Sequence, residues 1–145
     1  MLSQWWPGEF KIGTHTYPTA EHWMMAEKAR LFGDNAIEQQ VLAAASPKDA
    51  KALGRKVKGD DWSRWDAIKF DTVVKGNIAK FTQNAALGGW LRSTHPQVIV
   101  EASPADAIWG IGLAADDPRA GDPSLWRGEN LLGFALMKVR AGLKG

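Results

Sequence analysis

The stretch Tyr17-Pro-Thr-Ala-Glu-His-Trp-Met-Met-Ala-Glu-Lys-Ala-Arg-Leu-Phe-Gly33 decides how the chain is read. Thr19 is an N-cap candidate, and Glu21 falls in the first turn, where the helix dipole favours a carboxylate. Gly33 is a stop signal. A helix from Ala20 to Phe32 follows. At about 100° per residue, positions 21, 24, 25, 28, 31 and 32 share one face. They read Glu21, Met24, Met25, Lys28, Leu31 and Phe32. The other face carries His22, Trp23, Ala26, Glu27 and Arg30. A glutamate and a lysine thus interrupt an apolar stripe. Buried charges are costly unless they are paired or turned toward a ligand. Glu21 and Lys28 lie roughly 10 Å apart along the axis. That is too far for a direct bond in most rotamers and suits a pocket with a ligand between them. The plainer alternative is that each finds its own partner in or beside the core.

Outward from this helix, the pattern stays helical. Upstream, Glu9–Tyr17 alternates around a Gly and reads as a short hairpin. Downstream, Asp34 caps a second helix, Asn35 to Ala45. Ser46-Pro47-Lys48-Asp49 joins a cap, a proline at the first helical position and a carboxylate three residues on, and starts a third helix toward Lys56. Gly59-Asp60-Asp61 breaks the chain before a long fourth helix, Trp62 to Phe81, with Trp62, Trp65, Lys69, Val73 and Gly76 on one stripe. A fifth spans Asn84 to Arg92. Gln97–Glu101 reads as a short strand, and Ser103-Pro104-Ala105-Asp106 as a capped helical turn. A polar Gly/Pro/Asp loop, Gly110 to Gly128, leads into a last helix, Glu129 to Leu143, apolar almost all round and expected at the centre. Six helical segments against so little strand predict a mainly α, compact multi-helix domain with at most an N-terminal strand pair, spanning residues 1–145.

Composition narrows the function. With 145 residues and 45% apolar content, the chain is sized for one core and is not a disordered tail. The longest apolar runs, Ile108–Leu113 and Leu131–Met137, are too short to span a bilayer. No secretory leader is evident, so a cytoplasmic location is expected. The absence of cysteine removes disulfides, thiolate nucleophiles and zinc–cysteine sites. No cofactor loop or serine elbow is present, and His15, His22 and His95 lack ligand spacing. Neither a cofactor nor a metal is expected. The net charge is +2. The densest cationic group is Lys48, Lys51, Arg55, Lys56 and Lys58, a solvated face or a phosphate contact. Eight tryptophans are unusual for this size. Their flat faces offer stacking platforms for a base.

Two further clusters carry candidate chemistry. In Ser103-Pro-Ala-Asp-Ala-Ile-Trp-Gly-Ile-Gly112, Asp106 is either a capping carboxylate or a ligand contact. Trp109 is a stacking candidate, and Gly110 permits close backbone approach. In Trp126-Arg-Gly-Glu-Asn-Leu-Leu-Gly133, Asn130 is either an N-cap or an amide for a sugar hydroxyl. Arg127 and the helix start form a candidate anion site.

The segments Ser3-Gln-Trp-Trp-Pro7, Tyr17 to Ala29, Leu53-Gly-Arg55, Ala102 to Gly112 and Trp126 to Met137, in this order, resemble the NADAR, or YbiA-like, family over essentially the whole chain. The resemblance implies a mainly helical fold with a pocket for ribose-linked bases. It implies one of two activities: hydrolysis of the N-glycosidic bond in phosphorylated riboflavin intermediates, or removal of ADP-ribose from guanine bases. One departure is visible. Family members carry an aromatic segment upstream of the Ser-Gln-Trp stretch, and most of it is missing from this sequence.

On that basis the catalytic candidates are Glu21, Lys28 and Asp106. Glu21 is placed on the sugar side, as electrostatic stabiliser or base for water. Lys28 either attacks C1 and forms a Schiff base or binds charge. Asp106 is placed against the base or the ribose hydroxyls. The substrate-binding candidates are Trp5, Trp23, Arg55, Trp109, Gly110, Trp126 and Asn130, with Trp109 stacking on the base and Arg55 on a phosphate. The expected partner is a phosphoribosyl or ADP-ribosyl small molecule, with ADP-ribosylated nucleic acid as the alternative and no membrane. A non-catalytic NAD or ADP-ribose binding module is the third reading. Binding alone does not require both Glu21 and Lys28, which favours an enzyme.

Overall fold

The computed structural model describes residues 3–143. An antiparallel hairpin, β1 (Phe10–Ile12) and β2 (His15–Tyr17), precedes α1 (Ala20–Leu31), α2 (Asn35–Leu42), α3 (Pro47–Gly54), α4 (Trp62–Gln83), α5 (Ala85–Ser93) and α6 (Leu131–Gly142). Two 3-10 turns, Pro118–Gly121 and Pro123–Leu125, punctuate the loop before α6. The fold is mainly helical, as the sequence predicts. Among the described residues, no helix is long and apolar enough to cross a membrane.

The caps are local chemistry. The Thr19 hydroxyl accepts from the His22 N–H, Asp34 from Ile37, Ser46 from Asp49 and Asp61 from Ser63. Each satisfies one orphan donor of a first turn. Gly33, at φ +67°, closes α1. The 12-residue helix α1 is the hub and packs on α2, α3 and α4, while α4 also carries α6. The core gathers Trp23, Met24, Val73, Val74, Phe81, Leu132, Leu136 and Val139. At the α1–α4 crossing, Trp23 Nε1–H donates to the Thr72 carbonyl at 2.8 Å. A Cβ at Gly76 would come within 2.2 Å of the Trp23 ring, so the close approach needs glycine there.

Side-chain amides twice take the place of a strand. Gln83, at the end of α4, donates to the Lys11 carbonyl at 2.8 Å and accepts from the Lys11 N–H at 2.7 Å, pinning β1. Asn130 does the same for the segment expected as a strand. Its Nδ2 donates to the Ile99 carbonyl at 3.0 Å, and its Oδ1 accepts from the Glu101 N–H at 2.9 Å. That pair of bonds flanks Val100 as a parallel neighbour would. Residues 97–101 therefore run extended but form no strand.

Other boundaries shift. Residues 103–106 form a turn and not a helical turn. Asn130 takes a left-handed backbone, φ 52° and ψ 39°, so α6 begins at Leu131 and not at Glu129. It is also not apolar all round in effect. Leu132, Ala135, Leu136 and Val139 are buried, whereas Phe134 is 46% exposed and Lys138 faces solvent. The expected stripe on α4 holds for Trp65, Val73 and Gly76, while Trp62 is exposed and Lys69 pairs with Asp66 at 3.0 Å. The end of α2 at Leu42 and of α3 at Gly54 falls short of the expected bounds.

Candidate active site

Helix α1 is buried on two faces. His22, Trp23, Ala26 and Ala29 enter the packed interior, while Glu21, Met24, Met25 and Lys28 line a cavity of about 560 Å³. The stripe that looked like the core face of an amphipathic helix is a pocket wall. This explains why it tolerates two charges. The second wall is cationic, with Lys51 of α3 and Arg55 just beyond its end. The third is the loop from Glu101 to Trp109, which contributes Glu101, Ser103, Asp106, Ile108 and Trp109. Ser3, Gln4 and Trp5 close one side, and Trp65 and Leu132 complete the lining.

The electrostatics are strongly perturbed. Glu21 is 4% exposed. Burial raises its pKa from 4.5 to about 7, and Asp106 adds to the rise, while Lys51, Lys28 and Arg55 oppose it. Burial lowers the Lys28 pKa below the ordinary lysine range, with Arg55 pushing the same way and Glu21 against it. The Lys28 ammonium lies 5.1 Å from the Trp62 ring centroid, and that of Lys51 lies 5.9 Å from Trp5. Glu101 is half-buried, and its pKa is raised by burial and by Asp106. Asp106 is held rigidly, because its Oδ1 accepts from the Ile108 and Trp109 N–H groups at 3.0 and 2.8 Å. Its capping role and its place in the pocket are compatible. Perturbed carboxylates and a lysine converging on one cavity are characteristic of functional sites.

Six of the expected site residues meet in this cavity: Glu21, Lys28, Asp106, Trp5, Arg55 and Trp109. Four do not line it. Trp23 packs in the core against Gly76 and bonds to Thr72. Gly110 is buried behind the loop, where a Cβ would sit 2.8 Å from the Glu101 carbonyl oxygen. Trp126 ties its own loop together by donating to the Ala120 carbonyl at 2.9 Å. Asn130 is fully buried, and its amide holds the 99–101 backbone rather than facing the cavity. The Arg127 anion site also falls outside the cavity. Sequence reasoning missed Gln4, Glu101 and Ser103 as lining residues, and placed Lys51 in the cationic group without singling it out. Lys51 was detectable, since it precedes Arg55 by one helical turn. Glu101 carried no signal, because the Asn130 amide sets its orientation.

The NADAR domain family profile matches residues 1–144. The chain belongs to the NADAR family. It is 43% identical to an N-glycosidase from Acanthamoeba polyphaga mimivirus, over 97% of this chain and 85% of that one. It is 32% identical to the N-glycosidase YbiA of Escherichia coli, over 95% and 76%. The NMR structure of E. coli YbiA superposes with a TM-score of 0.78 at 30% identity, covering 97% of this chain and 75% of that one. This NADAR chain is accordingly an N-glycosyl hydrolase.

Proposed function

We propose that the chain hydrolyses the bond between ribose C1 and the base nitrogen of a phosphoribosylated riboflavin-synthesis intermediate. The observation that carries this reading is the convergence of Glu21 and Lys28, from one helix face, on a cavity that also holds aromatic rings and two cations. Trp109 and Trp5 offer faces for the base. Lys51 and Arg55 offer charge to the phosphate.

Lys28 is the nucleophile. Burial lowers its pKa and so enlarges the fraction of neutral, nucleophilic amine. The Nζ lone pair forms a bond to C1 as the C1–N bond breaks and its electron pair goes to the base. Ring opening then gives an imine between Lys28 and the sugar. Water adds to the imine carbon and releases the free sugar phosphate. Glu21 takes the Nζ proton and returns it during hydrolysis, which suits a carboxyl that titrates near 7.

The second reading is removal of ADP-ribose from guanine bases in nucleic acid. Exposed Arg55, Lys56 and Lys58, continuous with the cationic wall, favour it. The protein is incubated separately with the phosphoribosyl-aminopyrimidine and with guanosine-ADP-ribosylated DNA, and products are followed by mass-detected chromatography. Borohydride is added to trap the imine. Ribose 5-phosphate release and a reduced adduct on Lys28, both absent in Lys28→Ala, are expected. Restoration of unmodified DNA alone would replace the first reading with the second. Turnover unaffected by Lys28→Ala would remove the nucleophile.

A further inference from the structure

We propose that Glu101 is the acid that protonates the leaving base. The proposal rests on the N-glycosidase reading above. Cleavage of a C1–N bond leaves negative charge on a poor leaving nitrogen, so a proton must arrive as the bond breaks. Glu21 sits on the same helix face as Lys28 and serves the amine. Asp106 has one oxygen committed to two backbone N–H groups. Glu101 enters from the loop wall, a different wall from that of Lys28. Its carboxyl makes no hydrogen bond or ion pair among the described residues and is free to meet a substrate.

Its backbone is fixed on both sides. The Glu101 N–H donates to Asn130 Oδ1 at 2.9 Å, and its carbonyl accepts from Ile111 at 2.9 Å and from Ser103 at 3.1 Å. Such anchoring presents the carboxyl from a rigid base. The charged groups that share the cavity with it are Asp106, Glu21, Lys28, Lys51 and Arg55. Burial and the Asp106 carboxylate favour its protonated form and outweigh the opposing charge of the N-terminal amino group. Two carboxyls in different surroundings can thus divide the labour, Glu21 with the amine and Glu101 with the leaving group.

The step balances. The Glu101 O–H proton passes to the base nitrogen as that nitrogen takes the C1–N electron pair. The carboxylate regains a proton from the water that later hydrolyses the imine.

The test compares wild type with Glu101→Gln on two substrates, the phosphoribosyl-aminopyrimidine and 4-nitrophenyl riboside 5-phosphate. Nitrophenolate leaves without protonation. For the N-glycoside, kcat is expected to fall by about 10²- to 10⁴-fold with KM within about threefold. The basic limb of its pH–kcat profile should disappear. For the nitrophenyl riboside, the fall should stay within about threefold. An equal loss on both substrates, or a loss on the N-glycoside under about fivefold, overturns the assignment. If the nitrophenyl riboside is not a substrate, the pH profile decides, and an unmoved basic limb overturns it. Wild type inactive on both substrates instead removes the phosphoribosyl-aminopyrimidine reading on which the proposal stands. Since the Glu101 side chain holds no other residue and burial disfavours its charge, Glu101→Gln is expected to melt no lower than wild type.

Discussion

At the residue scale, Asn130 and Glu21 show two different costs of building the pocket. Asn130 occupies a left-handed backbone and satisfies two backbone groups with one amide. Asn130→Ala leaves the Glu101 N–H and the Ile99 carbonyl unpaired and keeps the unfavourable φ. It should lose about 2–4 kcal/mol in urea denaturation. Glu21 is costly for a different reason. Its pKa is 4.5 in ordinary surroundings and about 7 in the fold. Between those values the unfolded chain gives up a proton that the fold retains. The stability Glu21 contributes is therefore complete below pH 4.5 and declines up to about pH 7. Glu21→Gln should abolish most turnover, yet raise the urea midpoint at pH 8 and leave it nearly unchanged at pH 4. A midpoint shift that is equal at both pH values would contradict this.

At the element scale, two glycines in helices give opposite expectations. Alanine is favoured over glycine inside a helix by about 1 kcal/mol. At Gly76 the added Cβ would lie 2.2 Å from the Trp23 ring, and the crossing of α1 and α4 would have to open. Overpacking of this kind costs about 1–3 kcal/mol or more and outweighs the helix gain. Gly76→Ala should lower the thermal midpoint. It should also shift the Trp23 emission, since the 2.8 Å bond to Thr72 would be disturbed. At Gly142 nothing lies within 4 Å of the added carbon. Gly142→Ala should therefore raise the midpoint by a degree or so. If both variants move the same way, helix propensity rather than packing governs these positions.

At the scale of the whole molecule, one lysine joins the core to the pocket wall. Lys80 is 0% exposed, and its Nζ donates to the Ser3 carbonyl at 3.2 Å. Ser3 stands beside Gln4, whose carbonyl accepts from the Glu21 N–H at 3.2 Å, and beside Trp5 at the pocket edge. Burial lowers the Lys80 pKa to about 8. Between about 8 and 10.5 the unfolded chain holds a proton that the fold gives up, so stability rises as pH climbs through that range. Lys80→Met should be at least as stable as wild type at pH 7, because it removes a buried charge. It should also raise KM, because Ser3–Trp5 lose their anchor. A stable variant with unchanged KM would show that the segment is held without Lys80.

The helices were legible in the sequence because their signals are local. The caps at Thr19, Asp34, Ser46 and Asp61 each act within three residues, and Gly33 ends α1 by its own backbone conformation. Glu21 and Lys28 stood out for a similar reason, as charges placed on an apolar stripe of one helix. Only tertiary packing decided what that stripe faces. Nor could spacing reveal that Asn130 substitutes for a strand, since its partners lie 29 and 31 residues away. The same distance hides Glu101, and it sends Trp23, equally aromatic in the sequence, into the core while Trp109 reaches the cavity. Caps and periodicity are short-range properties of the chain. A pocket is a product of which elements pack together, and that is settled by contacts between residues far apart in sequence.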